Sequence, residues 1–403
     1  MKLTWGPAGP SDGIEAPYKV AITGIGAVSC VGIGKEAFWN GISQAEVVGD
    51  RHIVDFNPSN WLNPKEIRRT DRFNQFGIAA ADLALADAGE FEVDPKMAGV
   101  MMGTGIGGLE SLENQVILQY EKGAGRVSPF LVPLMMANAG SASLSMRYGY
   151  LGPCESTVTA CAAGTHAIIR AAKTIASGRC KVMLAGGTEA AMTSTAYAGF
   201  VNMTAMSNVN ISRPFDKERD GFVMTEGGAV LVLEELEFAK SRGAKIYAVI
   251  AGSASNADAF HITAPAPHGV GAAGCMKLAI EDAGMKPSDI VHINAHGTST
   301  PLNDLSESEA ILSVFGSDAP PTTSIKGALG HALGGAGALG AAAAALTIEQ
   351  GYIAPTANTK NIDPEIHIDV VINEPRKISA GPVISNSFGF GGHNGSIVMV
   401  PPE

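Results

Sequence analysis

The chain has 403 residues, 46% of them hydrophobic, and a formal net charge of −11. That length supports a large core in two domains or one two-part domain, and the acid excess speaks against nucleic acid as the main partner. Five cysteines, odd in number and without Cys-x-x-Cys spacing, argue against a disulfide framework or a structural zinc and for a reducing cytoplasm.

Residues 1–17 read as a loose N-terminal arm without a signal-peptide core. From there, short β-rich runs alternate with longer Ala/Leu-rich runs, the pattern of an α/β fold. Strands are predicted at Lys19–Ile25, Ala98–Gly103, Ser156–Ala160, Lys181–Gly186 and Ala229–Glu234. Helices are predicted at Lys35–Ile42, Arg72–Ala88, Pro133–Tyr148 and Ala162–Ser177, the proline suiting a first turn. The second half repeats this grammar. A strand at Ala244–Gly252 is followed by a helix at Val270–Ala283, a strand at Val291–Ala295, and Thr322–Ile325 leading into a Gly/Ala helix over 327–345. Gly395–Val400 is the last predicted strand. The repetition predicts an internal duplication, residues 18–250 and 251–403, with two equivalent sheets packed back to back in an α-β-α-β-α body. No apolar run suits a membrane span; Ala341–Leu346 is flanked by glycine and closely followed by Glu349.

The candidate chemistry begins at Cys161, where a strand-like run meets a helix-like one. A sulfur at a helix N-terminus is favoured as thiolate, and the free N–H groups there can hold an oxyanion. A free cysteine is also one of the commonest buried packing residues, so position alone leaves both readings open. Three later segments decide between them: Asn294-Ala295-His296-Gly297-Thr298-Ser299-Thr300, Ser324-Ile325-Lys326-Gly327-Ala328-Leu329-Gly330-His331, and Asn386-Ser387-Phe388-Gly389-Phe390-Gly391-Gly392-His393. The Gly-rich runs Gly103–Gly108 and Gly389–Gly392 lack the Lys-Ser/Thr of a phosphate loop, which argues against nucleotide binding. His166, His261, His268, His292 and His393 are read as structural or surface residues, and no ligand-spaced cluster points to a metal.

With these four motifs, and over about residues 18–400, the chain resembles the β-ketoacyl-acyl-carrier-protein synthases of the thiolase-like superfamily. The resemblance implies duplicated thiolase-like halves and a decarboxylating condensation. Cys161 would hold the acyl group; His296 and His331 would donate N–H to the malonyl thioester oxygen as an enolate forms. Lys326 would sit near the second histidine and keep both rings neutral, with Glu307 as its buried acidic partner. The backbone N–H groups of Cys161 and Phe390 would form the oxyanion hole, and Phe390 would gate the site. Thr263, Thr298 and Thr300 would bind a phosphopantetheine arm, with Phe388 also touching substrate. Ile106 and the run Phe130–Met136 would line an acyl pocket.

The partner implied is an acidic acyl-carrier protein, docking on Lys65, Arg68, Arg69 and Arg72 and on Arg126. No resident cofactor is implied, and the chain would act as a homodimer or with a chain-length partner. A thiolase would carry a second cysteine by the C-terminal glycine loop, where this chain has His393; a catalytically silent chain-length subunit would lack Cys161. A type II polyketide or specialised-metabolite ketosynthase fits the same motifs.

Overall fold

The computed structural model describes residues 19–49 and 51–402, so the arm expected at 1–17 lies outside the described residues. Strand β1 (Val20–Ser29) is buried at every position, as a strand covered on both faces must be. Helix α1 (Arg72–Ala88) lies directly on it. A Cβ at Gly26 would stand 1.9 Å from the Ala80 carbonyl oxygen, so only glycine lets helix and strand approach this closely. The Asp71 carboxylate caps that helix, accepting from Phe73 N–H at 3.1 Å.

The remaining principal strands are β2 (Ala98–Gly103), β3 (Cys154–Thr157), β4 (Val182–Glu189), β5 (Gly227–Glu235), β6 (Ala248–Ala257), β7 (His292–Asn294), β8 (Thr322–Thr323), β9 (Val383–Gly389) and β10 (His393–Val400). They form one sheet in the order β3-β2-β4-β5-β1-β6-β10-β9-β7-β8, with the two-residue strand Gly32–Ile33 beside β1. Read inward from either edge, the two halves have the same plan. Three parallel strands come first, then two antiparallel ones. The halves meet where β1 pairs with β6 (Val20 opposite Ile250, Ala21 opposite Val249, Ile22 opposite Ala248). The two sheets expected from the repeat are therefore joined by a three-residue ladder. The division expected after residue 250 falls inside β6.

Two helices fill the middle of the molecule: α2 (Ala163–Ala176), which follows β3, and its counterpart after β8. Helix α3 (Val270–Asp282) covers the outside of the second half as α1 covers the first, and α4 (Pro301–Phe315) packs beside α3. The second central helix, α5 (Ala336–Gln350), is apolar all round and buried as far as Thr347, as a helix with no solvent face must be. Met183 and Ala185 of β4 face the central helices while Val182 and Leu184 face α1; Ile397 and Met399 of β10 face inward while Val398 faces α3. The layers thus run α1, sheet, α2 with α5, sheet, α3.

Several expected elements differ, among them the strand expected at Ala244–Gly252, which runs Ala248–Ala257. Pro133–Tyr148 is two helices, Leu131–Met135 and Ala139–Tyr148, broken where Gly108 N–H bonds the Met135 carbonyl. The strand before Cys161 ends at Thr157. The helix expected over 327–345 is a short turn, Lys326–Leu329, then an excursion, then α5. Gly330, at φ 79°, turns the chain out of the helix. His331 N–H then bonds Val223 O at 2.7 Å and its carbonyl accepts from Thr225 N–H at 3.1 Å.

Candidate active site

Between β3 and α2 the backbone passes through Ala160 at φ 50°, a left-handed alanine that costs about 1–2 kcal/mol, and a short turn that carries Cys161. The sulfur is buried. Burial pushes its thiol up to about 11, against the opposing pull of the Lys326 ammonium and of the Phe390 and Cys161 N–H groups. Burial thus opposes the thiolate expected from the helix terminus. The two N–H groups expected to form the oxyanion hole do converge on the sulfur. A Cβ at Gly389 would come within 3.2 Å of Cys161 N, so the Phe390 loop reaches the sulfur only because that residue is glycine.

His296 stands just beyond β7, where two carboxylates of α4, three residues apart on one helix face, hold the chain. Glu307 accepts from His296 N–H and Gly297 N–H, each at 2.7 Å, and Asp304 accepts from Thr298 N–H at 2.9 Å. Both carboxyls are raised by burial, Glu307 to about 7. Glu307 thus anchors the histidine loop through its oxygens and reaches Lys326 only through the field. Sequence reasoning missed Asp304, although its spacing from Glu307 was a usable signal.

Lys326 contacts the first histidine rather than the second. Its Nζ donates to the His296 carbonyl and lies 3.4 Å from His296 Nδ1. An ammonium has only protons to offer, so Nδ1 accepts and the neutral ring keeps its proton on Nε2. His331 reaches the same tautomer by another route: Leu333 N–H donates to its Nδ1 at 3.2 Å. Burial first, and then the Lys326 charge, push both imidazoles well below the ordinary histidine value. Burial also lowers Lys326, to about 8. The ring centroids lie 5.4 Å apart, and Cys161 Sγ and a nitrogen of each ring fall within 4.8 Å of one another. Such donors would also suit a soft metal ion, but the adjacent ammonium opposes a cation there.

These groups face a cavity of about 590 Å³. Thr263, Thr298 and Thr300 line it, as do Ile106, Phe388 and Phe390; Thr298 and Thr300 hydroxyls are 2.9 Å apart. Phe200, Met203 and Leu333 line it too. The run Phe130–Met136 does not reach the cavity: Leu134 is buried while Phe130, Val132 and Met136 are exposed. Lys65, Arg68, Arg69 and Arg126 are exposed, with Arg69 stacked over Phe130 at 4.6 Å. Arg72 leaves that surface group, because it is tied to the buried Glu226 at 2.6 Å. A further buried carboxylate, Glu189 at the end of β4, sits behind the cavity wall and carries no local sequence signal.

Residues 46–239 match the family model described as the N-terminal domain of beta-ketoacyl synthase, and residues 247–360 match its C-terminal domain. Over 400 residues the chain is 42% identical to 3-oxoacyl-[acyl-carrier-protein] synthase 2 of Synechocystis, covering 93% of this chain and 96% of that one. Among solved structures, the ishigamide ketosynthase/chain length factor superposes with a TM-score of 0.91 at 33% identity, covering 96% of this chain and 100% of that one. A type II polyketide acyl-carrier protein in complex with its ketosynthase matches at 31% identity with a TM-score of 0.85, again covering 96% and 100%. By sequence over nearly its whole length, and by fold, this chain belongs to the β-ketoacyl synthase family of condensing acyltransferases.

Proposed function

We propose that the enzyme joins an acyl group held on Cys161 to malonyl-acyl-carrier protein with loss of CO₂, lengthening fatty-acyl chains by two carbons. The observation that carries the residue roles is the approach of Cys161 Sγ to the nitrogens of His296 and His331, all within 4.8 Å, in one buried cavity. The halves, divided at the entry to β6, contribute the nucleophile and the imidazoles respectively.

The acyl thioester enters on the phosphopantetheine arm past Thr263, Thr298 and Thr300. Cys161 sulfur attacks its carbonyl carbon, the oxygen takes the negative charge between the N–H groups of Cys161 and Phe390, and the thiol proton leaves with the departing pantetheine sulfur. One thioester replaces another, so the step is close to balanced. The malonyl thioester then places its carbonyl oxygen at the Nε2–H groups of His296 and His331. As the C–C bond to CO₂ breaks, its electron pair moves into an enolate that these donors hold, each worth about 3–4 kcal/mol when well placed. The carbanion attacks the acyl carbonyl and expels the Cys161 thiolate, which regains a proton.

The exposed cations Lys65, Arg68, Arg69 and Arg126 supply a docking patch for an acidic acyl-carrier protein, and the solved ketosynthase–carrier complex supports such a partner. We read the active form as a homodimer or a pair with a chain-length partner. The five cysteines are all unpaired, which supports a cytoplasmic setting; no described helix is long and apolar enough to cross a membrane. The likeness to a ketosynthase solved with its type II polyketide acyl-carrier protein favours a second reading, a subunit of a type II polyketide pathway.

Incubation with labelled acyl-carrier protein tests the nucleophile: Cys161→Ala should take up no label, and a labelled variant overturns the assignment. His331→Ala should lose CO₂ release by about 100-fold or more while still accepting an acyl group. Mass spectrometry of the acyl group left on Cys161 separates the fatty-acid from the polyketide reading.

A further inference from the structure

Glu189 is fully buried at the end of β4, and no step above uses it. Its carboxylate is ringed by donors from two segments far apart in the chain, 104–105 and 334. Thr104 hydroxyl donates to Oε1 at 2.9 Å; Gly105 N–H at 2.6 Å and Gly334 N–H at 3.0 Å both donate to Oε2. Gly107 N–H in turn bonds the Thr104 hydroxyl at 3.1 Å, fixing its direction. Gly105 and Gly334 come from opposite halves and touch backbone to backbone, since a Cβ on Gly334 would stand 2.1 Å from Gly105 N. A carboxylate, with two accepting oxygens, suits such a ring of donors, which opposes the burial that pushes the Glu189 carboxyl up to about 7.

The Gly334 bond has a direct consequence for the reacting groups. The preceding residue, Leu333, is held at φ 44°, a conformation that a leucine keeps only when its surroundings impose it. It is the Leu333 N–H that fills His331 Nδ1. We propose that Glu189 is a positioning residue for the condensation: by clamping the Leu333–Gly334 turn onto the Gly105 loop, it holds the N–H that fixes His331 as the Nε2–H tautomer. Without the clamp the turn relaxes, Nδ1 loses its donor, and the ring divides its proton between the two nitrogens. The inference rests on His331 acting as an enolate donor. Glu189 itself touches no reacting atom.

Two variants separate reach from charge. Glu189→Asp keeps the charge but withdraws the oxygens by one methylene, away from Gly334. Glu189→Gln gives up the charge but keeps an acceptor at the Oε2 position, and its amide can bond the Thr104 oxygen. We expect Glu189→Asp to lower kcat for CO₂ release from malonyl-acyl-carrier protein by about 10-fold to 100-fold, the range typical of outer-shell partners, with KM within about 3-fold. Nitrogen-15 spectra of the His331 ring should show proton density moving onto Nδ1. Glu189→Gln should recover most of the rate and the wild-type spectrum. Unchanged CO₂ release and an unchanged ring spectrum in Glu189→Asp would overturn the proposal, as would a Glu189→Gln enzyme as impaired as Glu189→Asp. If Glu189→Asp does not fold, Thr104→Val removes the donor that orients the carboxylate; the same parameter should fall about 3-fold, and no fall overturns the proposal. His331→Ala distinguishes the two levels. CO₂ release that survives His331→Ala removes the underlying reading, whereas release that needs His331 but ignores Glu189 removes only this inference.

Discussion

Replacing Lys326 with methionine should change the pH dependence of decarboxylation in a way that simple damage to the fold would not. The ammonium lies 3.4 Å from His296 Nδ1. At an effective dielectric of about 20, a unit charge at that distance disfavours an imidazolium by about 5 kcal/mol, a ceiling of about 3–4 pKa units. Glu307 offsets part of the charge, so an upward shift of about 1–2 units is expected when the lysine is removed. The sign follows directly. Lys326⁺ holds His296 neutral, and without it the ring takes up a proton at pH values where the wild-type ring is bare. An imidazolium beside the malonyl carboxylate stabilises the ground state that decarboxylation must destroy, and the rate falls. Release of labelled CO₂ from malonyl-acyl-carrier protein should therefore show an acid limb displaced upward by about 1–2 pH units in Lys326→Met. Above about pH 8, where the wild-type ammonium itself loses its proton, the two profiles should draw together. A loss of equal size at every pH, or an acid limb that stays in place, would refute this account of the lysine.

Three other outcomes follow from the geometry. Alkylation of Cys161 by iodoacetamide in the substrate-free enzyme should climb steeply through alkaline pH toward its inflection near 11; a plateau already reached at neutral pH would mean the thiol is ionised at rest. Charge reversal at Arg68 and Arg69 should slow acyl transfer from the carrier protein by about 10-fold, with a weaker salt dependence, and leave transfer from a small pantetheine thioester unchanged. Equal slowing with both donors would remove the docking role. His292 is buried with neither ring nitrogen bonded to any of the described residues, and burial pushes it down to about 3. Its folded value lies below its unfolded one, so its contribution to stability is complete above about pH 6.5 and is lost as pH falls. His292→Leu should melt less pH-dependently between about pH 5 and pH 7.5, and melting curves with identical pH dependence would contradict this.

The boundaries of Lys35–Ile42 and Arg72–Ala88 were legible because they are written locally, the second by Asp71 at its start and Gly89 at its end. The repeat of strand and helix spacing likewise announced the duplicated plan. Cys161 stood out because it follows a strand in a stretch of small residues, and His296 and His331 because their segments carry the family resemblance. What escaped depends on partners far away in the chain. Nothing in the period of a strand names its lateral neighbour, so the β1–β6 ladder could not be read. The Gly/Ala run after Lys326 is equally compatible with one helix or two, and the break is imposed by Val223 and Thr225, about a hundred residues earlier. Arg72 looked like a surface cation because Glu226 is remote in sequence. Glu189 escaped for the same reason, since Thr104, Gly105 and Gly334 give it meaning only once the halves are docked. The upward push on the Cys161 thiol escaped because a helix terminus is visible in sequence and the depth of burial is not.

The position of β10 bears on how the protein is made. Synthesised after every other strand of the sheet, it lies between β6 and β9, well inside the second half. A ribosome that has delivered everything up to Asn386 has exposed a β6 edge with its pairing groups open, a ready point for association between nascent chains. A premature stop just before His393 would remove an inner rung, together with Asn394, whose carbonyl meets His166 on the helix behind Cys161 at 3.0 Å. Such a truncated polypeptide should be degraded or aggregate, because the inner rung between β6 and β9 would be missing.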